Sequence, residues 1–318
     1  MIGLLASAVF LWFATRGLVW GDVVSNLAGV SPYMLVLAVA VFLAASYVRA
    51  IRWRLLFANH EISIARLFIV QNEGIGLNNV LPVRIASEVT QLAVLTLRDG
   101  VNKATAIATL GLERVIDVVA STLILGLAFL LVPEMRAFSP FVCGAVGFSV
   151  VVVGIVRLLA WAGASPAFAR RVRILASFTA AVRDLERERL RILGSFVVSV
   201  LYWILVGVTA WIVALAIDLP MSPLTATLVI MGTIFFATAV PAAPSAVGTF
   251  EWVVVYVLAF FGIERTAGFG YAVVIHAVFF LPPTIIAAVF LPREGVISLR
   301  QVRRLTTFGR RPDAGAAA

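Results

Sequence analysis

The chain has 318 residues, 62% of them hydrophobic and only 13% charged, with a formal net charge of +9. An ordinary soluble domain is about 45–50% apolar and about a quarter charged, so a mean hydropathy of +1.06 excludes a soluble globular fold. The basic residues gather at the ends of apolar runs, a membrane-topology pattern that argues against a nucleic-acid surface.

The first apolar run, about 2–20, reads as a retained helix, because it lacks the basic start and the cleavage site of a signal peptide. A second helix is expected over about 32–48, with Pro32 at its start and the cluster Arg49, Arg52 and Arg54 beyond its end. The stretch 61–100 is mixed and carries QNEGIGLNNVLPVRIASE at its centre. Helices are then expected over about 104–132, 138–161 and 192–217, with an Arg-rich connection at 162–191. Two shorter apolar pieces, 224–240 and 249–262, flank the break PAAPSAVG. A last span at 268–291 precedes a basic tail, 292–318, expected to be disordered and cytoplasmic.

These runs predict an all-α polytopic membrane protein, a single transmembrane domain over 1–291. The basic clusters at 49–54, 162–191 and 293–311 should share the cytoplasmic side, with both termini there. Parity is kept by about six full spans if 61–100 and 224–262 each enter and leave on their own side. A 14-residue helix reaches about 21 Å, short of hydrocarbon about 30 Å thick. Two re-entrant hairpins are therefore the expected arrangement, with two fully spanning hairpins as the alternative of equal parity.

Three polar clusters interrupt the apolar pattern, and charge inside a membrane is costly enough to mark function. The first holds Gln71, Asn72, Glu73, Asn78, Asn79, Arg84, Glu88, Thr90 and Gln91 around Pro82. Arg84 and Glu88 are four apart and would share a helix face. The cluster reads as a polar cavity or, alternatively, as an interfacial loop facing water. The second is Glu113, Arg114 and Asp117, where the two carboxylates fall on one face and Arg114 offers an interfacial ion pair. The third is Glu251, just after Pro241, Pro244 and Gly248, with Thr249 as a candidate cap. Glu251 is either a helix cap or a charge that holds a headgroup, an ion, Arg84 or Arg114. Pro82 precedes Glu88 by six residues and Pro244 precedes Glu251 by seven, a shared plan that suggests an inverted repeat.

Other chemistry is not signalled. Cys143 has no partner for an intrachain disulfide, and His60 and His276 lie too far apart in sequence to suggest a histidine zinc site. Nucleotide-binding and hydrolase motifs are absent, so no cofactor is expected, nor any direct ATP hydrolysis.

The motifs SYVRAIRWRLLF at 46–57, NNVLPVRIASE at 78–88, LERVIDVVA at 112–120 and PAAPSAVGTFE at 241–251 together resemble a known family. It is the integral-membrane, flippase-like domain found at the N-terminus of lysylphosphatidylglycerol synthases and also as stand-alone proteins. Onto its usual proline-x-arginine-x-glycine-glutamate run map Pro82, Arg84 and Glu88, with Ala86 and Ser87 where one glycine is usual. Its glutamate-arginine and following aspartate map onto Glu113, Arg114 and Asp117. Where it commonly has two glycines after the second proline, this chain has Ser245 and Ala246, while Pro244, Gly248 and Glu251 are kept.

The resemblance implies two re-entrant hairpins and translocation of a phospholipid or lipid-linked amphiphile, with membrane lipids as partners and a separately encoded lipid-modifying enzyme as a further one. It does not imply lysyl transfer, which in bifunctional members belongs to a soluble domain. Two other readings stand beside it: a membrane enzyme or accessory subunit using Glu88, Glu113 or Asp117 as a base, and a structural or regulatory membrane protein.

Overall fold

The computed structural model describes residues 2–57, 61–81, 86–131, 136, 139–162, 189–239 and 243–295. Among the described residues all regular structure is helical. In chain order the helices are α1 (Ile2–Thr15), α2 (Trp20–Ala28), α3 (Pro32–Leu55), α4 (Ile64–Val80), α5 (Ala86–Leu97) and α6 (Lys103–Leu131). They continue with α7 (Ser139–Ala162), α8 (Arg189–Ala216), α9 (Pro223–Ala239), α10 (Thr249–Phe260) and α11 (Arg265–Glu294). A short 3-10 turn, Pro244–Ala246, lies before α10.

Four of these helices, α3, α6, α8 and α11, are long and apolar enough to cross a membrane, and α1 with α2 forms one further apolar unit bent by 90°. Their outward faces are stripes of large apolar side chains, such as Leu123, Leu127 and Leu130 on α6 and Leu281, Ile285 and Val289 on α11. Three- and four-residue spacing puts each set on one helix face. Exposed apolar stripes on every long helix suit lipid, not water.

Two sequence expectations change at the N-terminal end. The expected helix over 2–20 stops at Thr15, because Gly17 takes φ +77°, outside the helical range. The expected helix over 32–48 runs on to Leu55, so the arginine cluster lies inside it. Ser31 caps that helix through the Met34 amide, and Pro32 occupies its first turn. The other expected helices agree within a few residues, and 61–100 resolves into α4 and α5. Most of the 162–191 connection and all of the tail from 296 onward lie outside the described residues.

Contacts between helix ends sort the bundle into two opposite ends. At one, the carbonyl of Phe57 beyond α3 accepts from Arg191 at the start of α8 (3.2 Å). The start of α4 joins the end of α5 and the end of α11 through Arg66, which bonds Asp99 (2.9 Å) and Glu294 (2.5 and 2.9 Å). At the other end the Ser31 amide before α3 donates to Ala216 at the close of α8 (3.0 Å). There too Arg265 at the start of α11 donates to the Phe13 carbonyl late in α1 (2.7 Å). The pair α4–α5 thus opens at the first end. The pair α9–α10 is joined by short turns to α8 and α11 at the second.

The core lies where α8, α9, α10 and α11 meet α3, around Phe42, Trp203, Ile230, Phe250, Leu258 and Tyr271. A second apolar cluster, including Trp53, Phe57, Leu67 and Leu95, fixes α3, α4 and α5 together. Close approach of α4 to α11 depends on Gly76, where a Cβ would strike the Pro283 carbonyl and Ala287. Prolines 282, 283 and 292 sit within α11, and such breaks persist in membrane helices where neighbouring protein covers the freed backbone.

Candidate functional site

Helices α3 and α6 meet through charge. Arg49 and Arg52 are three residues apart on α3, and Glu113 and Asp117 are four apart on α6, so each pair forms one face. Arg49 Nε donates to Glu113 Oε1 at 2.9 Å, and Arg52 Nη2 donates to the same oxygen at 2.7 Å. Arg52 also embraces Asp117, with Nη1 on Oδ1 and Nη2 on Oδ2, and Nη1 reaches Ser199 of α8 at 3.2 Å. The ring of Tyr202 lies 5.8 Å from both guanidinium carbons. Arg52 is fully buried and Glu113 nearly so. Two arginines facing two carboxylates leave the set formally neutral, which is how charge survives in such surroundings.

Arg114, next to Glu113 but turned a third of the way round the helix, has a different partner. Its Nη2 donates to Glu88 of α5 at 2.7 Å, and the two side chains are 46% and 38% exposed. The second carboxylate oxygen of Glu88 is enclosed without a donor among the described residues. The structure thus contains a closed ion network and, beside it, an open ion pair.

The third site is the break before α10. Gly248 takes φ +83°, and a Cβ there would collide with the Ser7 carbonyl and Leu11 of α1. The Gly248 amide donates to Glu251 Oε2 at 2.6 Å, so Glu251 caps the helix from its first turn. The cap residue is Gly248, not Thr249, whose hydroxyl instead meets Ser7 Oγ at 3.2 Å. The other oxygen of Glu251 contacts Nδ1 of His276 on α11. The His276 ring is packed between Phe250 and Phe280, with centroids 4.7 and 4.2 Å away.

The same break reaches the first hairpin. Ser245 Oγ donates to the Asn79 carbonyl at 2.8 Å. That carbonyl is in the last turn of α4, where intrahelical donors run out. Asn79 Nδ2 in turn donates to the Phe280 carbonyl (3.2 Å) and Thr284 Oγ1 (3.1 Å) of α11. On its other flank the Ala243 amide donates to Ser7 Oγ at 2.7 Å. Among the described residues, the Ala243 and Gly248 amides of this break both find protein acceptors, the condition under which membranes tolerate irregular backbone.

Of the residues singled out from sequence, Glu113 and Asp117 come together on Arg52, Arg114 pairs with Glu88, and Glu251 binds its own cap and His276. Asn79 joins the second break, and Asn78 beside it is half-buried. Pro244 opens the 3-10 turn and Gly248 ends the break. Pro82, Arg84 and Pro241 lie outside the described residues. Arg49, Arg52, His276, Ser7 and Ser245 were not among the expected site residues. The arginines carried a signal: their three-residue spacing complements the four-residue spacing of Glu113 and Asp117. Within α4, Asn72 and Gln71 bond Ser46 of α3, and Gln91 of α5 bonds the Gln71 carbonyl. Among the described residues no group of three or more histidine, cysteine or acidic side chains could hold a metal.

No curated protein matches the chain in sequence. The family model of the lysylphosphatidylglycerol synthase TM region matches residues 1–287, a stretch containing the ion network, the open pair and the break before α10, and the chain belongs to that family.

Proposed function

We propose that this protein translocates a phospholipid or lipid-linked amphiphile across the cytoplasmic membrane, the headgroup passing through the polar interior while the tails stay in lipid. The observation that carries the reading is the open pair Arg114–Glu88, exposed beside a closed, neutral ion network. A guanidinium whose present partner is half in water exchanges that partner for a phosphate at little cost. Glu88, once parted from Arg114, offers its half-exposed carboxylate to an amine on the same headgroup.

The topology that goes with this function has about six full spans and two re-entrant hairpins, α4–α5 and α9–α10, in inverted relation. Support comes from length, because helices of 17 and 12 residues reach about 26 and 18 Å against hydrocarbon of about 30 Å. It also comes from the Ser245–Asn79 bond, which joins the two tips although the hairpins open at opposite ends. Broken helices meeting between repeats mark substrate sites in many transporters. Both termini on the cytoplasmic side, with the 162–191 connection, follows from arginine bias.

The test is reconstitution into liposomes with labelled anionic, aminoacylated and polyprenyl-linked lipids. At least one should become accessible faster than in empty liposomes, and Arg114→Gln should slow it at least tenfold with the melting temperature unchanged. Accessibility equal to empty liposomes across the whole panel would overturn the reading.

A further inference from the structure

One charged residue of α4 has no place in the site just described. Glu73 lies at the middle of the helix, fully buried, and neither carboxylate oxygen has a hydrogen-bond donor among the described residues. The tight packing around it is set by glycine. A Cβ on Gly74 would strike Gln91 and the Ser87 carbonyl of α5, and one on Gly76 would strike α11. Such a place holds an ionised carboxylate only at great cost, whereas a neutral carboxylic acid is far cheaper to bury.

The charged groups that act on Glu73 come from three elements. Glu294 faces it from α11, Asp99 from the turn after α5, and Arg66 from two turns earlier on α4. On α3 the arginines are turned toward α6, where Arg49 and Arg52 are bound by Glu113 and Asp117. At the level of Glu73, α3 presents Ser46, which bonds Asn72 and Gln71. Arg66 is already held by Glu294 and Asp99, so it cannot neutralise Glu73 as well. The Arg66 side chain is 25% exposed, so one of the charged groups acting on Glu73 is itself reached by solvent.

We propose that Glu73 is a proton-binding site, and that its loading and unloading couples lipid translocation to a proton gradient. One proton from the aqueous phase binds a carboxylate oxygen of Glu73 to give the neutral acid, and the same proton is released when the helix pair exposes Glu73 again. The inference rests on the translocation reading for its physiological role, but the proton site itself does not depend on it.

The experiment has two parts on the full chain. Infrared difference spectroscopy of the reconstituted wild type across a pH titration should show a protonated carboxylic-acid carbonyl band that disappears at high pH and is missing in Glu73→Gln. Liposomes carrying a translocated lipid are then given an imposed pH gradient or, separately, a sodium gradient. The pH gradient should accelerate wild-type translocation several-fold, and the sodium gradient should not. Glu73→Gln should retain downhill exchange and lose the response to pH. The absence of the band in wild type, or its persistence in Glu73→Gln, overturns the proton site. Translocation that responds to sodium instead, or a pH response that survives in Glu73→Gln, overturns the coupling and leaves the translocation reading standing. If no lipid moves in any arm, that reading fails while the infrared result still decides the proton site.

Discussion

Arg52 offers the sharpest measurement of how this bundle holds charge. Its guanidinium donates to Glu113, to both oxygens of Asp117 and to Ser199, and the side chain is fully buried. Replacement by methionine keeps much of the volume and removes every one of those donors. Glu113 keeps Arg49 at 2.9 Å, but Asp117 is left with an Arg49 nitrogen no closer than 4.0 Å. The network then carries an uncompensated negative charge, and breaking a buried pair in this way costs about 3–5 kcal/mol. At about 2–3 °C per kcal/mol, the apparent melting temperature should fall by about 6–15 °C. The assay is thermal unfolding of purified protein in detergent, followed by size-exclusion fluorescence at one heating rate. Adding Asp117→Asn to Arg52→Met restores neutrality and should recover most of the loss. A single variant that melts like wild type, or a double variant no better than the single, would refute the reasoning.

Three further variants probe the break before α10. Ala246 takes φ +56°, a left-handed conformation unfavourable for side chains and worst for branched ones. Ala246→Val should lower stability by about 1–2 kcal/mol, whereas Ala246→Gly should melt no lower than wild type. The reverse order would show that this backbone is not strained. Glu251→Gln keeps an oxygen for the Gly248 amide, so the cap should weaken by about 1 kcal/mol or less. Lipid translocation at matched expression should nevertheless fall at least tenfold, because the charge facing His276 is gone. Wild-type transport in that variant would leave Glu251 as a helix cap alone.

Sequence reading located nearly every helix because apolar runs in a membrane protein are long and their ends are marked by proline, glycine and arginine. It failed at α1 and α3 for different reasons. The stop at Thr15 is set by Gly17 and by packing of α2 against α11, contacts distant in sequence. At α3, Arg49 and Arg52 looked like cytoplasmic anchors, because a run of arginines after an apolar stretch ordinarily meets water. Their burial depends on two carboxylates more than sixty residues away. The candidate site was legible as a set of residue types and not as partners. Glu113 and Asp117 announced a shared face by spacing, but Arg114, their neighbour in sequence, went to Glu88 on another helix. Glu251 was picked out by its break, whereas His276 sat unmarked in a proline-containing apolar run.

The strengths of these contacts decide which part of the bundle can move. The network of Arg49, Arg52, Glu113 and Asp117 ties α3 to α6, with Ser199 adding α8, and each broken partnership there costs several kcal/mol. The tip of α4 is held to the second break by Ser245 on the Asn79 carbonyl, a neutral hydrogen bond of about 0.5–1.5 kcal/mol. Ser245 is itself in a strained conformation, at φ +56°, so releasing it returns part of that cost. Thermal motion breaks the weaker contact first. In the translocation proposed above, the expected opening is therefore a separation of the end of α4 from the break before α10 while α3, α6 and α8 stay fixed by their ion network, with Arg114 and Glu88 beside it.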